Sequence, residues 1–245
     1  MYGYGYRYNS GLVVSAGGGA PFSNTKSLSF DGVDDYVDCG NMSGLDAVQN
    51  FTISAWVNFD NVSGTKRMIG KRHNFVNFIA FNFSSNVLVA GVNSAGVTSS
   101  LGLVAGTWYH IAMVFDGTLT GNANRLKIYV DGAQKTLSFT GTIPSVTYDF
   151  ALNPTTFYLG TDGFTTPNYF GGKMDEVSIF NTSEPIANLW DGSGTPTDLT
   201  SLNPIAWWRM GDGDTYPTIT DNGSGGNNGT MTNMDAGDIV SDVPL

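Results

Sequence analysis

The sequence predicts an all-β protein in which two antiparallel sheets pack face to face. Short apolar segments recur about every dozen residues, and Gly, Asp or Asn bounds each of them. Several segments alternate apolar and polar side chains, which is typical of strands with one face in a core. No amphipathic helical pattern extends beyond ten residues, so the sequence argues against a fold of alternating strands and helices.

The predicted strands run in order from residue 27 to residue 180. They are SLSF, YVDCG, FTISAWVNF, RMIGK, NFIAFNF, VLVAGV, WYHIAMVF, RLKIYV, KTLSFTG, FYLGT and EVSIF. In FTISAWVNF, one face carries Phe51, Ile53, Ala55, Val57 and Phe59, and the other carries Thr52, Ser54, Trp56 and Asn58. This period of two predicts a half-buried antiparallel strand.

One short helix is expected, in TSEPIANLW. Ser183 is placed to cap its N-terminus, and Glu184 and Pro185 suit its first turn.

Four regions follow from composition. Residues 1–24 form an arm in which Tyr2, Tyr4, Tyr6 and Tyr8 alternate with Gly and Arg. Residues 25–190 form the sandwich and residues 191–204 a linker. Residues 205–245 are too few for a core of their own and are expected to complete or flank the sandwich. The Tyr row suits an assembly interface, because tyrosine offers large apolar area and a hydroxyl; a sticky tail is the alternative.

Charge and composition exclude several classes of partner. With 21 acidic and 11 basic side chains, the net charge of −10 disfavours nucleic acid and anionic membranes. No apolar run is long enough for a membrane span, and the N-terminus lacks the pattern of an export signal. We therefore expect synthesis in a cytosol. The single cysteine, Cys39, permits no intrachain disulfide and is expected to be buried.

Known catalytic patterns are missing from the sequence. The chain has two glutamates, Glu176 and Glu184, and Ser178 rather than an acid follows Glu176 two positions on. A retaining glycosidase needs two carboxyl groups about 5 Å apart, so an endoglycanase is disfavoured. His110 alternates with core residues and is expected to be structural, and no G-x-S-x-G elbow marks a nucleophilic serine. We therefore expect a non-enzymatic protein.

Five blocks carry a family resemblance: LSFDGVDDYVDCG, FTISAWVNF, TWYHIAMVFDG, LKIYVDG and FGGKMDEVSIFN. In this order they resemble the laminin-G-like jelly-roll family of the concanavalin A-like lectin and glucanase superfamily. The resemblance covers about residues 26–190 and implies a jelly-roll sandwich. In relatives, a segment like IAWWRMGDG stands before the FDG block, whereas here it follows the domain. Either residues 205–230 close the sandwich in permuted order, or they are a truncated repeat that pairs with another subunit.

The resemblance also implies a structural Ca²⁺. The period of two puts Asp175 on the same strand face as Val177 and Ile179, and an inward carboxylate is costly unless it is paired, hydrogen-bonded or bound to a cation. In relatives the FDG and DEV strands lie close together, so the predicted ligands are Asp31 and Asp175, with carbonyl groups near Gly32. The alternative is that Asp175 accepts backbone N–H groups without any ion.

Sugar binding is expected in loops, as it is in lectins that this sequence resembles. The segment GTDGFTTPNYF offers Asp162, Phe164, Asn168 and Tyr169 within one turn-rich stretch. These aromatic residues could instead cap the end of the sandwich. The basic residues of 66–73 could meet an acidic polysaccharide or an acidic subunit, or form a solvated loop; they are Lys66, Arg67, Lys71, Arg72 and His73.

The Tyr/Gly arm, the WWRMGDG type of segment and GDIVSDVP are similar to virion proteins of marine bacteriophages. This resemblance implies a virion fibre, tail or decoration subunit, a homo-oligomer joined to other subunits by its arm and exposed to host glycans. The alternative is a free extracellular carbohydrate-binding module of a cell.

Overall fold

The fold is known from a computed structural model that describes residues 22–163 and 168–245. The predicted arm tyrosines Tyr2, Tyr4, Tyr6 and Tyr8, and Phe164 of the predicted sugar loop, lie outside the described residues. Within these ranges no helix is long and apolar enough to cross a membrane.

The regular secondary structure of the described chain is almost entirely β-strand. They are β1 (Ser27–Asp31), β2 (Tyr36–Asp38), β3 (Asn50–Phe59), β4 (Thr65–Arg72), β5 (Phe78–Ser84), β6 (Val87–Val92), β7 (Ala95–Thr98), β8 (Trp108–Asp116), β9 (Leu126–Val130), β10 (Ala133–Lys135), β11 (Leu137–Phe139), β12 (Phe157–Leu159), β13 (Gly171–Phe180), β14 (Ala206–Trp208), β15 (Thr218–Ile219), β16 (Gly229–Thr232) and β17 (Ile239–Val240). Two single-turn helices, α1 (Asn122–Arg125) and α2 (Ile186–Leu189), accompany four 3-10 turns at Ser43–Leu45, Phe150–Leu152, Thr200–Leu202 and Ala236–Asp238.

Two antiparallel sheets form the predicted sandwich. The first sheet has the order β10-β9-β8-β3-β13-β1-β17, and β14 also pairs with β13. The second has the order β11-β7-β6-β5-β4-β12-β2-β16-β15. One continuous core lies between them and includes Phe51, Phe81, Phe115 and Trp208, each fully buried. Cys39 is also buried, as the sequence predicted.

The alternation predicted for β3 is confirmed on its core face, but the strand is buried on both faces. Trp56 is only 4% exposed because Trp190 packs on it, with ring centroids 5.3 Å apart. Residues 181–204 lie over this side of the first sheet, where Leu189 and Leu199 contact Phe180 and Trp207. The expectation of a half-buried strand was therefore wrong, because this segment covers the outer face.

The predicted helix is shorter than its sequence pattern. It spans only Ile186–Leu189, and Pro185 occupies the N-cap position without a side-chain cap hydrogen bond. Ser183 was expected to cap it, but its hydroxyl instead donates to Asp116 at 3.4 Å.

The C-terminal segment supplies strands to both sheets. β14 pairs with β13 in the first sheet, whereas β16 pairs with β2 in the second. β14 and β1 pair with successive parts of the same edge of β13. Residues 206–232 therefore complete the sandwich in the described structure.

Candidate functional site

Three tyrosines form a cluster on the outer face of the second sheet. Tyr36 begins β2, and Tyr158 lies in the neighbouring strand β12, where its chain neighbours Phe157 and Leu159 point into the core. Tyr158 pairs with Asp38, so Tyr36 is its diagonal neighbour on the same face. The two rings meet edge to face with centroids 5.6 Å apart.

A loop brings the third ring to this face. Tyr169 stacks against Tyr36 with centroids 6.3 Å apart and an angle of 26° between the rings. The backbone N–H of Arg67 in β4 donates to the carbonyl of Asn168 at 2.7 Å, which holds the loop against the sheet. Gly163 passes over Tyr158 so closely that a Cβ there would lie 2.7 Å from the ring.

The cluster lines a small open pocket. Its volume is about 190 Å³, and Tyr36, Tyr158, Thr161, Gly163 and Tyr169 line it. All three rings are half-buried, and among the described residues none of their hydroxyls has a hydrogen-bond partner. The pocket is smaller than the roughly 300–1,000 Å³ of drug-sized ligand sites, so it suits a single ring with polar edges.

Only part of the predicted sugar site lies here. Tyr169 lines the pocket, and Asn168 contributes its carbonyl to the loop anchor. Asp162 is fully buried, and its carboxylate accepts from Arg67 at 2.9 Å and from Arg72 at 3.0 Å. Asp162 therefore anchors the loop and is not available to a ligand in this conformation.

Sequence reasoning missed Tyr36 and Tyr158. The available signal was the alternation within YVD and FYL. It puts each tyrosine on the face of its strand that points away from the core, because an apolar residue adjoins it in the chain. The register that joins the two strands could not be read from the sequence.

The basic stretch is not the solvated loop that was one expectation. Lys71 is fully buried, and Arg67 and Arg72 converge on Asp162. His73 stacks on Tyr148 with ring centroids 6.0 Å apart. Intramolecular contacts thus engage most of these side chains.

The two predicted calcium ligands are not brought together. Asp31 in β1 pairs with Gly171 in β13. Gly171 precedes Asp175 by four residues in the same strand, so the backbones of Asp31 and Asp175 are about 13 Å apart along the strand direction. The Asp31 carboxylate accepts the backbone N–H groups of Val33 and Asp34, so it closes the turn at Gly32. Oxygens of Asp31, Asp34 and Asp35 lie within 4.8 Å of one another. The shared calcium site predicted from Asp31, Gly32 and Asp175 is therefore not formed in this geometry.

A β-bulge explains why Asp175 was assigned to the wrong face. Asp175 pairs with Trp56, but Ser178 pairs with Ser54, so Glu176 and Val177 together oppose one residue of β3. Glu176 has a φ of 46°, in the left-handed region. Val177 faces the core, whereas Asp175 lies on the outer side with Trp56.

The bulge buries an acid pair beneath the N-terminal segment. Asp175 accepts from the Asn24 amide at 2.8 Å. Glu176 accepts from the Trp207 indole at 2.5 Å and from Arg209 Nε at 3.0 Å. Burial raises the pKa of both carboxyl groups, that of Asp175 strongly and that of Glu176 to about 7, although Arg209 lowers the latter. The expectation that Glu176 shares its face with no second acid was therefore wrong.

Glu176 should make folding stability depend on pH. Its pKa rises from 4.5 in the unfolded chain to about 7 in the fold, so the folded state binds the proton more tightly. This contribution is fully present below pH 4.5 and is lost as the pH rises to about 7, on the order of 3 kcal/mol in total.

We expect Glu176→Gln to flatten this part of the stability curve, measured by urea unfolding from pH 4 to 8. Glu184→Gln is the matched control, because Glu184 lies near the surface. Burial also raises the pKa of Asp175 strongly and that of Asp35 to about 6, so the wild-type slope has other sources, and the contribution of Glu176 is the difference between the wild type and Glu176→Gln. An unchanged slope in Glu176→Gln would contradict the assignment.

His110 has the structural role expected from the sequence. It is 1% exposed, its Nε2 lies 2.8 Å from the Ser54 hydroxyl, and its ring stacks on Trp190. Burial lowers its pKa to about 3, so it is neutral at physiological pH. Trp190 separates this Ser–His pair from solvent.

Residues 31–184 match the Laminin_G_3 family model of the concanavalin A-like lectin/glucanases superfamily. The chain therefore belongs to this family of lectin-like jelly-roll domains. A comparison with curated proteins gives no match.

Several solved structures resemble this chain. A "putative carbohydrate binding protein" from Bacteroides ovatus superposes with a TM-score of 0.69 at 20% identity, over 92% of this chain and 62% of its own. This chain thus spans less than two thirds of that protein. The CBM40 domain of a Ruminococcus gnavus sialidase, bound to α2,3-sialyllactose, gives a TM-score of 0.47 at 9% identity, over 65% of this chain and 91% of its own. Domains LG4-5 of mouse laminin α1 give a TM-score of 0.45 at 11% identity, over 66% of this chain and 43% of their own.

Proposed function

We propose that this protein is a non-enzymatic carbohydrate-binding module and that the tyrosine pocket is its sugar site. The observation that carries the proposal is the group of three half-buried tyrosines whose hydroxyls have no partner among the described residues. A sugar ring has apolar C–H faces and polar edges, and tyrosine offers a flat ring and a hydroxyl at low entropic cost.

The family and fold support this proposal. Lectin-like domains are members of the same superfamily, and the Bacteroides ovatus protein with the same fold is described as a "putative carbohydrate binding protein". The alternative of a glycoside hydrolase is less well supported, because Asp175 and Glu176 are buried and contact Asn24, Trp207 and Arg209.

The experiment is a glycan array followed by titration of the best sugar. We expect Tyr158→Ala to weaken binding about tenfold or more, because truncating a tyrosine at the centre of a binding site typically costs about 2 kcal/mol or more. Tyr129→Ala is the matched control, since Tyr129 is a half-buried tyrosine on β9 of the other sheet. Equal affinities of the two variants, or binding of no glycan by the wild type, would contradict the proposal.

A narrower proposal places the module on a virion. It is supported by the resemblance of the terminal segments to phage virion proteins and by the Tyr/Gly arm, which lies outside the described residues. The virion would then supply the protein partners, and a homo-oligomer would present the pocket to host glycans.

Light scattering tests the virion proposal. We expect the full chain to form a defined oligomer and a chain beginning at Phe22 to be a monomer, because the shortened chain lacks the arm. The cut is placed before Phe22 because residues 22–24 contact the folded domain, at Trp207, Arg209 and Asp175. Monomers in both cases would favour the free carbohydrate-binding module.

A further inference from the structure

Lys71 occupies a position in the second sheet that a charged residue seldom takes. It pairs with Ile79 on one side and with Phe157 on the other, and both of these side chains belong to the core. Lys71 is fully buried, and its ammonium group lies 4.6 Å from the centre of the Phe150 ring. Burying a charge in this way is costly unless nearby groups compensate it.

The compensating groups come from the loop that follows β2. Lys71 Nζ lies 3.0 Å from Asn41 Oδ1 and 2.7 Å from Asp46 Oδ1. It also donates to the backbone carbonyl of Asn41. Since Oδ1 is bonded to Cγ, the Asn41 amide carbon lies within about 4.2 Å of Nζ. A buried amine, an amide carbon and a carboxylate are therefore held together in one place.

We propose that Lys71 and Asn41 form an intramolecular isopeptide bond, with Asp46 as the proton carrier. Asp46 accepts a proton from the Lys71 ammonium group, and the lone pair of the neutral amine attacks Asn41 Cγ. The Cγ–Nδ2 bond then breaks. The departing nitrogen takes the proton held by Asp46 and the second proton shed by Nζ, and it leaves as ammonium. No other reactant is needed.

The surroundings of the two groups favour this reaction. Burial lowers the pKa of Lys71, although Asp46 opposes this effect, so the nucleophilic neutral amine is more accessible than at a surface lysine. Folding fixes both reactants next to each other, which replaces an encounter in solution by a preorganised contact. Asn41 itself lies at the surface, so the leaving ammonia has a direct path to water.

The test is the mass of the full chain after folding and incubation. We expect most molecules to be lighter than the sequence by one ammonia. A protease digest should contain a branched peptide that joins Asn41 to Lys71. Mapping is required because Asn222 and Asn228 each precede a glycine, where cyclisation of the asparagine also releases ammonia. Linear peptides carrying unmodified Asn41 and Lys71, recovered quantitatively from folded protein, would overturn the proposal. So would an ammonia loss mapped only to Asn222 or Asn228.

Two variants test the roles of the individual side chains. Lys71→Arg keeps a buried cation but cannot form the bond, so we expect the full mass. Asp46→Asn keeps the shape but cannot accept the proton, so we expect the cross-linked fraction to fall at least tenfold. A cross-link that forms equally in Asp46→Asn would remove Asp46 from the reaction. Circular dichroism checks folding, and if either variant fails to fold, the wild-type peptide map alone decides.

Discussion

Replacing Asp162 with alanine is expected to destabilise the protein by about 3–5 kcal/mol, because it leaves two arginines without their shared buried partner. The Asp162 carboxylate is fully buried and accepts from Arg67 Nη1, Arg72 Nε and Arg72 Nη2 at 2.9–3.1 Å. Arg72 also stacks on the Phe78 ring at 4.1 Å and is largely buried, so its charge cannot move freely into water. For a chain of this size the loss corresponds to a fall in melting temperature of roughly 10 °C.

The control for this prediction is Asp60→Ala, since Asp60 is an exposed aspartate at the end of β3. It should change stability by less than about 0.5 kcal/mol. Asp162→Asn keeps the volume of the side chain, so a large loss in this variant as well would show that the missing charge is responsible. A loss below about 1 kcal/mol in Asp162→Ala would contradict the ion-pair account. Sugar binding should fall together with stability, because Asp162 anchors the loop that carries Tyr169.

Trp208→Ala is expected to cost a similar 3–5 kcal/mol, although Trp208 lies outside the family-matched residues 31–184. Trp208 is fully buried in the main core, where it stacks on Phe157 with ring centroids 6.2 Å apart. Its indole donates to the Asn227 carbonyl at 2.8 Å, and its strand pairs with β13. Truncation would leave a cavity and an unpaired carbonyl.

Trp108→Ala is the matched control for Trp208→Ala. Trp108 is half-buried in β8, and its indole donates to Asp242. We expect chemical denaturation to show less than half of the loss found for Trp208→Ala. Equal losses would contradict the conclusion that the C-terminal segment is part of the sandwich core.

Much of the fold could be predicted from the sequence because its strands obey local rules. FTISAWVNF alternates with a period of two, and its five predicted core residues are all buried between the sheets. The WW of the C-terminal segment was too apolar to remain in solvent, and Trp208 indeed joins the core. Burial of Cys39 followed from the same reasoning.

The site could be predicted only in part, because its residues meet through long-range pairing. Tyr36 and Tyr158 come from distant segments, and only the register of β2 with β12 puts them on one face. The bulge at Asp175–Ser178 breaks the period of two, so extrapolation from Val177 and Ile179 put Asp175 in the core. Lys71 looked like a surface residue because lysine is rarely buried, and its partners lie 25–30 residues away in the chain.

The central claim is that the tyrosine pocket binds sugar, and the most direct test is a nuclear magnetic resonance titration of the protein with the best glycan from an array. The account predicts that the ring resonances of Tyr36, Tyr158 and Tyr169 shift together and saturate, whereas those of Tyr129 do not move. Shifts confined to other loops, with these three rings unchanged at saturation, would contradict it.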